Sequence, residues 1–173
     1  VPVLRYRALD LGTLFPMIED LGIILKKEGE AEELGDYIGG HYEMIKDRVE
    51  TLSDDEKPRV YFMSMGHVDW TGGADSAGSE RIADTGGVNV AEDLPGSLVY
   101  VSREWILEED PEVILYSRVS SSGEIPKAED YEKTVEKTIL SEPGFSDLAA
   151  IRDGRLYLFD ISMASGLTEI VTY

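Results

Sequence analysis

The sequence predicts an α/β protein, a doubly wound, mainly parallel sheet flanked by helices and preceded by a helical linker. Three observations predict it. From about residue 58 onward, short apolar runs alternate with segments of helical periodicity, and strands separated by helices pair in parallel because each return needs a crossover. Val113 to Ser117 (Val-Ile-Leu-Tyr-Ser) is nearly all apolar, as a strand covered on both faces must be. Between Leu11 and Leu52, by contrast, apolar residues recur at helical spacing. The expected division is therefore 1–57, ending in linker helices, and 58–173, an α/β lobe.

Taken in order, Val1 to Tyr6 is a short apolar segment compatible with a strand. Leu14, Ile18, Leu21 and Leu25 share one helical face; Gly22 interrupts that run and Gly29 ends it. A second helix is expected from Glu30 to Leu52, with Ala31, Leu34, Ile38, Tyr42, Ile45, Val49 and Leu52 as its inner stripe. Gly39-Gly40 should weaken its middle by about 1 kcal/mol per glycine against alanine. Ser53 to Pro58 is a polar turn. Next come a strand at Arg59–Ser64, a helix at Ser76–Thr85, a short strand at Ser97–Val101 and a helix at Ser102–Glu109 with Ser102 as N-cap. The buried strand Val113–Ser117, a helix at Ala128–Leu140 and a last strand at Leu156–Asp160 complete the pattern.

Thirty-five acids against 16 bases give a formal charge of −19, which argues against nucleic acid as a partner. Such a surface keeps a protein soluble and also suits docking to a basic partner. No apolar run approaches the roughly 18 residues of a membrane-spanning helix. The absence of cysteine removes disulfides and thiolate metal sites. Gln is absent and Asn occurs once, at Asn89, a depletion of thermolabile amides that points to a thermophilic source. The opening Val-Pro-Val-Leu shows neither a signal peptide nor a lipid-anchor cysteine, so the chain is expected to be a fragment of a longer precursor.

In a doubly wound sheet ligands bind beyond the carboxyl ends of the strands. Those ends lead into Met65–Asp75, Arg118–Pro126 and Ile161–Leu167, all rich in Gly, Ser and polar groups. In the first loop His67 is either an ordinary loop histidine or a contact to a metal centre or chelator. Trp70 is a lid over local core or a stacking platform for a flat ligand, and Asp75 meets a cationic group or caps the next helix. Arg118 suits a bidentate grip on a carboxylate or phosphate, or a surface ion pair; Ser162 offers a small polar contact. His67 and Asp69 would supply two metal ligands, but no third is evident nearby, and no metal site is expected. Gly73 to Ser79 copies the spacing of a phosphate-cradling loop but continues as Ser79-Glu80 without the lysine, which leaves loop turning as the role of its glycines. No Gly-x-Ser-x-Gly exists, His41 reads as a surface residue, and no catalytic residues are expected.

Several stretches resemble the ABC-importer solute-binding proteins that capture iron-siderophores, haem and cobalamin. They are Ile18-Glu19-Asp20-Leu21-Gly22, Glu30-Ala31-Glu32-Glu33-Leu34, Lys57-Pro58-Arg59-Val60-Tyr61, Gly86-Gly87-Val88-Asn89-Val90, Val101-Ser102-Arg103-Glu104 and the segment from Phe145 to Tyr157. The resemblance covers nearly the whole chain. It implies one lobe of a helix-linked two-lobe protein, with 1–57 the end of the first lobe plus linker helices and 58–173 the second lobe. It implies binding rather than catalysis, with an iron(III)-siderophore-type chelate as ligand, cobalamin or haem next, and no cofactor. It further implies an ABC permease as partner, with Glu104 as the docking acid, and an extracytoplasmic, lipid-anchored protein whose anchor lies outside this sequence. With one lobe only, the fragment is expected to bind ligand poorly and to be a monomer or weak dimer. The competing classes are a doubly wound enzyme or nucleotide-binding domain, for which no convergent acid, base and nucleophile is found, and a lobe used purely for protein interaction.

Overall fold

The computed structural model describes residues 11–118 and 128–160. The chain divides into two compact units between Arg48 and Val49. The predicted strand at Val1 to Tyr6 lies outside the described residues.

The first unit holds α1 (Leu11–Leu25) and α2 (Glu28–Val49). Leu14 and Ile18 of the predicted stripe are buried with Ile38, and Phe15, Met17, Ala31 and Leu34 pack around them. Leu21 and Leu25, from the same stripe, are exposed, as are Ile23 and Ile24. Between the helices Lys26 takes a left-handed φ of 56°, and the Lys27 N–H closes the turn on the Gly22 carbonyl at 2.7 Å. Helix α2 starts before the expected Glu30, because Glu28 and Glu30 set negative charge at the helix start; Lys46 and Arg48 set positive charge at its end. It runs unbroken through Gly39-Gly40 and stops at Val49.

The second unit carries β1 (Arg59–Met63), β2 (Trp70–Thr71), α3 (Ala77–Asp84), β3 (Val88–Asn89), β4 (Val99–Tyr100), α4 (Arg103–Glu109), β5 (Val113–Arg118), α5 (Ala128–Thr138), α6 (Ala149–Arg152) and β6 (Leu156–Asp160). Four strands form a parallel sheet in the order β3-β1-β5-β6, with Val60 beside Val113 and Ile114 beside Leu156. From β1 the chain crosses one way to β3, then returns past β1 to β5 and on to β6. Right-handed crossovers in opposite directions put the helices on opposite faces, and the packing agrees. Val60 and Val113 meet Ile82 of α3, whereas Tyr61, Met63, Ile114 and Tyr116 meet Ile106 of α4 together with Ile139, Phe145 and Leu148. Each fully buried side chain of this kind contributes about 1.5–3 kcal/mol. The doubly wound, mainly parallel sheet flanked by helices is the predicted one.

Three strands differ from expectation. The predicted strand Ser97–Val101 shortens to Val99–Tyr100 and pairs antiparallel with Trp70–Thr71, as a separate ribbon beside the main sheet. The edge strand β3 is only two residues long, too short to show an alternation in sequence. It follows Gly86, whose φ of 83° ends α3 in a conformation suited to glycine.

Candidate functional site

Strand β1 lies beside β5, and the chain leaves β1 towards β3 but leaves β5 the other way, towards β6, so the carboxyl ends of β1 and β5 flank a topological switch point. The loop from Ser64 to Thr71 rises from that end. Its first turn is tight, with Met65 at φ 55° and Gly66 at φ 84°. Buried Ser117 holds this turn by accepting from the Met65 N–H at 3.0 Å and donating to the Met63 carbonyl at 3.2 Å. The Tyr116 hydroxyl donates to the Gly66 carbonyl at 3.0 Å, and the Tyr61 hydroxyl to the Val68 carbonyl at 2.8 Å. Burial, followed by the negative charge of Asp69, pushes the Tyr61 phenol well above its usual range, so it remains a donor.

Three rings meet here, two from the loop and one from β4. His67 is exposed and stacks on Trp70, with centroids 3.9 Å apart and planes 11° from parallel. Trp70, half-buried, makes a T-shaped contact with Tyr100 at 5.0 Å and 69°. The β2–β4 ribbon sets Trp70 opposite Tyr100, and 65% of Tyr100 remains exposed. Tyr100 was not among the predicted binding residues. The signal that could have found it is the pair of β-prone dipeptides, Trp70-Thr71 and Val99-Tyr100, each bounded by loop residues.

The other predicted residues separate. Asp75 does not cap α3; Ser76 does, accepting from the Ser79 N–H at 2.9 Å. The Asp75 carboxylate instead accepts from the Gly96 N–H at 3.2 Å and ties its loop to the turn before β4. Gly73 is buried against that turn, where a Cβ would lie 2.4 Å from the Leu94 carbonyl oxygen. Close packing therefore accounts for this glycine. Asn89 adds a further tie, donating from its amide to the Gly72 carbonyl at 2.8 Å. Arg118 ends β5 and donates to the Thr134 hydroxyl of α5 at 3.1 Å. Ser162 lies outside the described residues. Glu104 is exposed in the first turn of α4, where its own backbone N–H, the Ser102 hydroxyl and Arg103 hold its carboxyl below the usual range.

Among the described residues no group of three or more His, Cys, Asp or Glu side chains is placed to hold a metal ion, and no helix is long and apolar enough to cross a membrane. A groove along α1 and α2, lined by Phe15, Ile18, Ile23, Glu28 and Asp36, lies within the first unit and holds none of the predicted binding residues.

The fold has solved counterparts. FepB of Veillonella parvula, described as a TroA-like periplasmic binding protein, superposes with a TM-score of 0.80 at 18% identity, over 95% of this chain and 50% of its own. A protein of an ABC-type Fe3+-hydroxamate transport system from Saccharomonospora viridis gives 0.69 at 17% identity, over 98% and 54%. The periplasmic haem-binding protein RhuT from Roseiflexus, in apo form, gives 0.68 at 20% identity, over 94% and 57%. This chain thus spans about half the length of these structures. No curated protein sequence matches it. The sequence profile described as periplasmic binding protein matches residues 1–161. That family consists of extracytoplasmic transport components that bind solutes, rather than enzymes, and carries no cofactor as such. The chain belongs to the periplasmic binding protein family.

Proposed function

We propose that the chain is part of the solute-binding component of an ABC importer, which captures an iron(III)-siderophore-type chelate and delivers it to a membrane permease. The observation that carries this reading is the ring platform of His67, Trp70 and Tyr100 at the switch point between β1 and β5. Aromatic faces receive flat, π-bearing chelators, and an imidazole at the rim can hydrogen-bond them. The likeness to the Fe3+-hydroxamate system protein supports an iron chelate. Haem is the second reading, favoured by the likeness to the haem-binding protein.

In this reading Asp75, Arg118 and Ser162 add polar contacts, residues 1–57 close a first lobe and lead through linker helices, and 58–173 form the second lobe. Glu104 docks on the permease, outside the cytoplasm, on a protein held to the membrane by a lipid anchor. The test is a Trp-fluorescence titration of the full-length parent protein with ferric siderophores, haem, cobalamin and molybdate. Saturable quenching by one ferric chelate, weakened in Trp70→Ala and His67→Ala, is expected. No response to any ferric chelate or to haem would defeat the proposal.

A further inference from the structure

We infer that Tyr61, Tyr116 and Ser117 are positioning residues for the His67–Trp70 pair, three buried hydroxyls that clamp the binding loop on both sides of His67. The inference rests on the solute-binding reading for its purpose, though not for its test.

Tyr61 reaches from β1 and donates to the Val68 carbonyl at 2.8 Å; Tyr116 reaches from β5 and donates to the Gly66 carbonyl at 3.0 Å. Those carbonyls belong to the two residues flanking His67, so the histidine backbone is held from either side. Ser117 locks the start of the loop through the Met65 N–H at 3.0 Å, and its own carbonyl accepts from the Gly66 N–H at 2.7 Å. Met65 is thereby kept at φ 55°, which an L-residue adopts where its surroundings impose it. None of the three clamping side chains is more than 2% exposed.

A buried hydroxyl needs a partner whatever its role, so satisfaction alone would explain any one of these bonds. It does not explain why hydroxyls from two strands converge on the backbone of Met65 to Val68. A loop fixed from both strands holds the His67 and Trp70 rings 3.9 Å apart before any ligand arrives, which removes an ordering cost from binding.

The experiment uses the ligand-free chain in a Trp105→Phe background, where Trp70 is the sole tryptophan. His67→Ala defines the emission shift and the rise in acrylamide quenching that mark a lost stack. The near-isosteric double variant Tyr61→Phe/Tyr116→Phe, and separately Ser117→Ala, are expected to reproduce that signature with His67 still present. If the double variant does not fold, single Tyr116→Phe gives the readout. Trp70 emission and quenching unchanged from the parent, with only a lowered Tm, would overturn the inference and leave the hydroxyls a packing role. Because no solute is added, the result is independent of whether the full-length protein binds one.

Discussion

Replacing Gly73 by Ala tests what the glycine-rich loop is for. An added Cβ would meet the Leu94 carbonyl oxygen at 2.4 Å, the Gly96 carbonyl oxygen at 2.6 Å and Val99 Cγ2 at 2.7 Å. Ordinary contact distances are about 3.5 Å, so roughly 1 Å of retreat is required. The two oxygens are backbone atoms and retreat only with the 94–96 turn. That turn accepts from the Ala74 N–H at 2.8 Å and the Asp75 N–H at 3.3 Å, so moving it weakens bonds worth about 1 kcal/mol each. Overpacking adds about 1–3 kcal/mol. Against this, alanine restricts the unfolded chain and contributes at most about 1 kcal/mol of stability. The clash wins, with a net loss of about 3 kcal/mol. Urea unfolding followed by tryptophan emission should show it, and thermal unfolding by far-UV circular dichroism should give a Tm lowered by about 6–12 °C for a chain of 173 residues. A change within about 0.5 kcal/mol of the parent, the range of an unremarkable surface substitution, would refute the packing account.

Thr71 is fully buried with a hydroxyl that finds no partner among the described residues, so Thr71→Val is expected to raise stability by about 1 kcal/mol in thermal unfolding; a loss would show that the hydroxyl is satisfied in solution. In α2, Gly40 has nothing within 4 Å of an added Cβ, and Gly40→Ala should stabilise the first unit by about 0.5–1 kcal/mol, read from helical content on heating. The Tyr61 phenol is raised from an ordinary value of 10.0 by burial and then by Asp69. A folded-state value above the unfolded one gives stability that is complete below about pH 10 and is lost as pH rises beyond it. Tyr61→Phe should therefore flatten the alkaline limb of a stability–pH curve, and an unchanged limb would contradict the burial argument. Glu104→Lys, at an exposed helix start, should leave the fold intact. In the full-length protein it should leave solute affinity intact while lowering uptake; preserved uptake would remove Glu104 from the docking surface.

Much of the second unit was legible because its signals are local and strong. Val113 to Ser117 could only be a strand covered on both faces, and Ser102 marked the start of α4. What was hidden depends on partners far along the chain. Trp70-Thr71 and Val99-Tyr100 become strands only against each other, and the short β3 pairs only because β1 offers an edge. The same holds at the candidate site. His67 and Trp70 stood out as an imidazole and an indole beyond a strand, but Tyr100 joins them through the ribbon register. Asp75 looked like a cap because an acid before a helix usually is one, yet Ser76, one residue on, takes that place. In α1 the stripe predicted Leu14 and Ile18 correctly, while Leu21 and Leu25 stay exposed despite the same spacing, because periodicity defines a face and not what covers it.

The central position of β1 also governs how the chain can be made. Val60 to Met63 finds its long neighbour only when Val113 to Tyr116 has emerged, about fifty residues later, and its other neighbour pairs through two residues alone. During synthesis, Val-Tyr-Phe-Met must wait as an unpaired apolar strand, the kind of edge that recruits other chains. Premature termination or proteolysis before Val113 would therefore leave an aggregating stub rather than a smaller folded lobe.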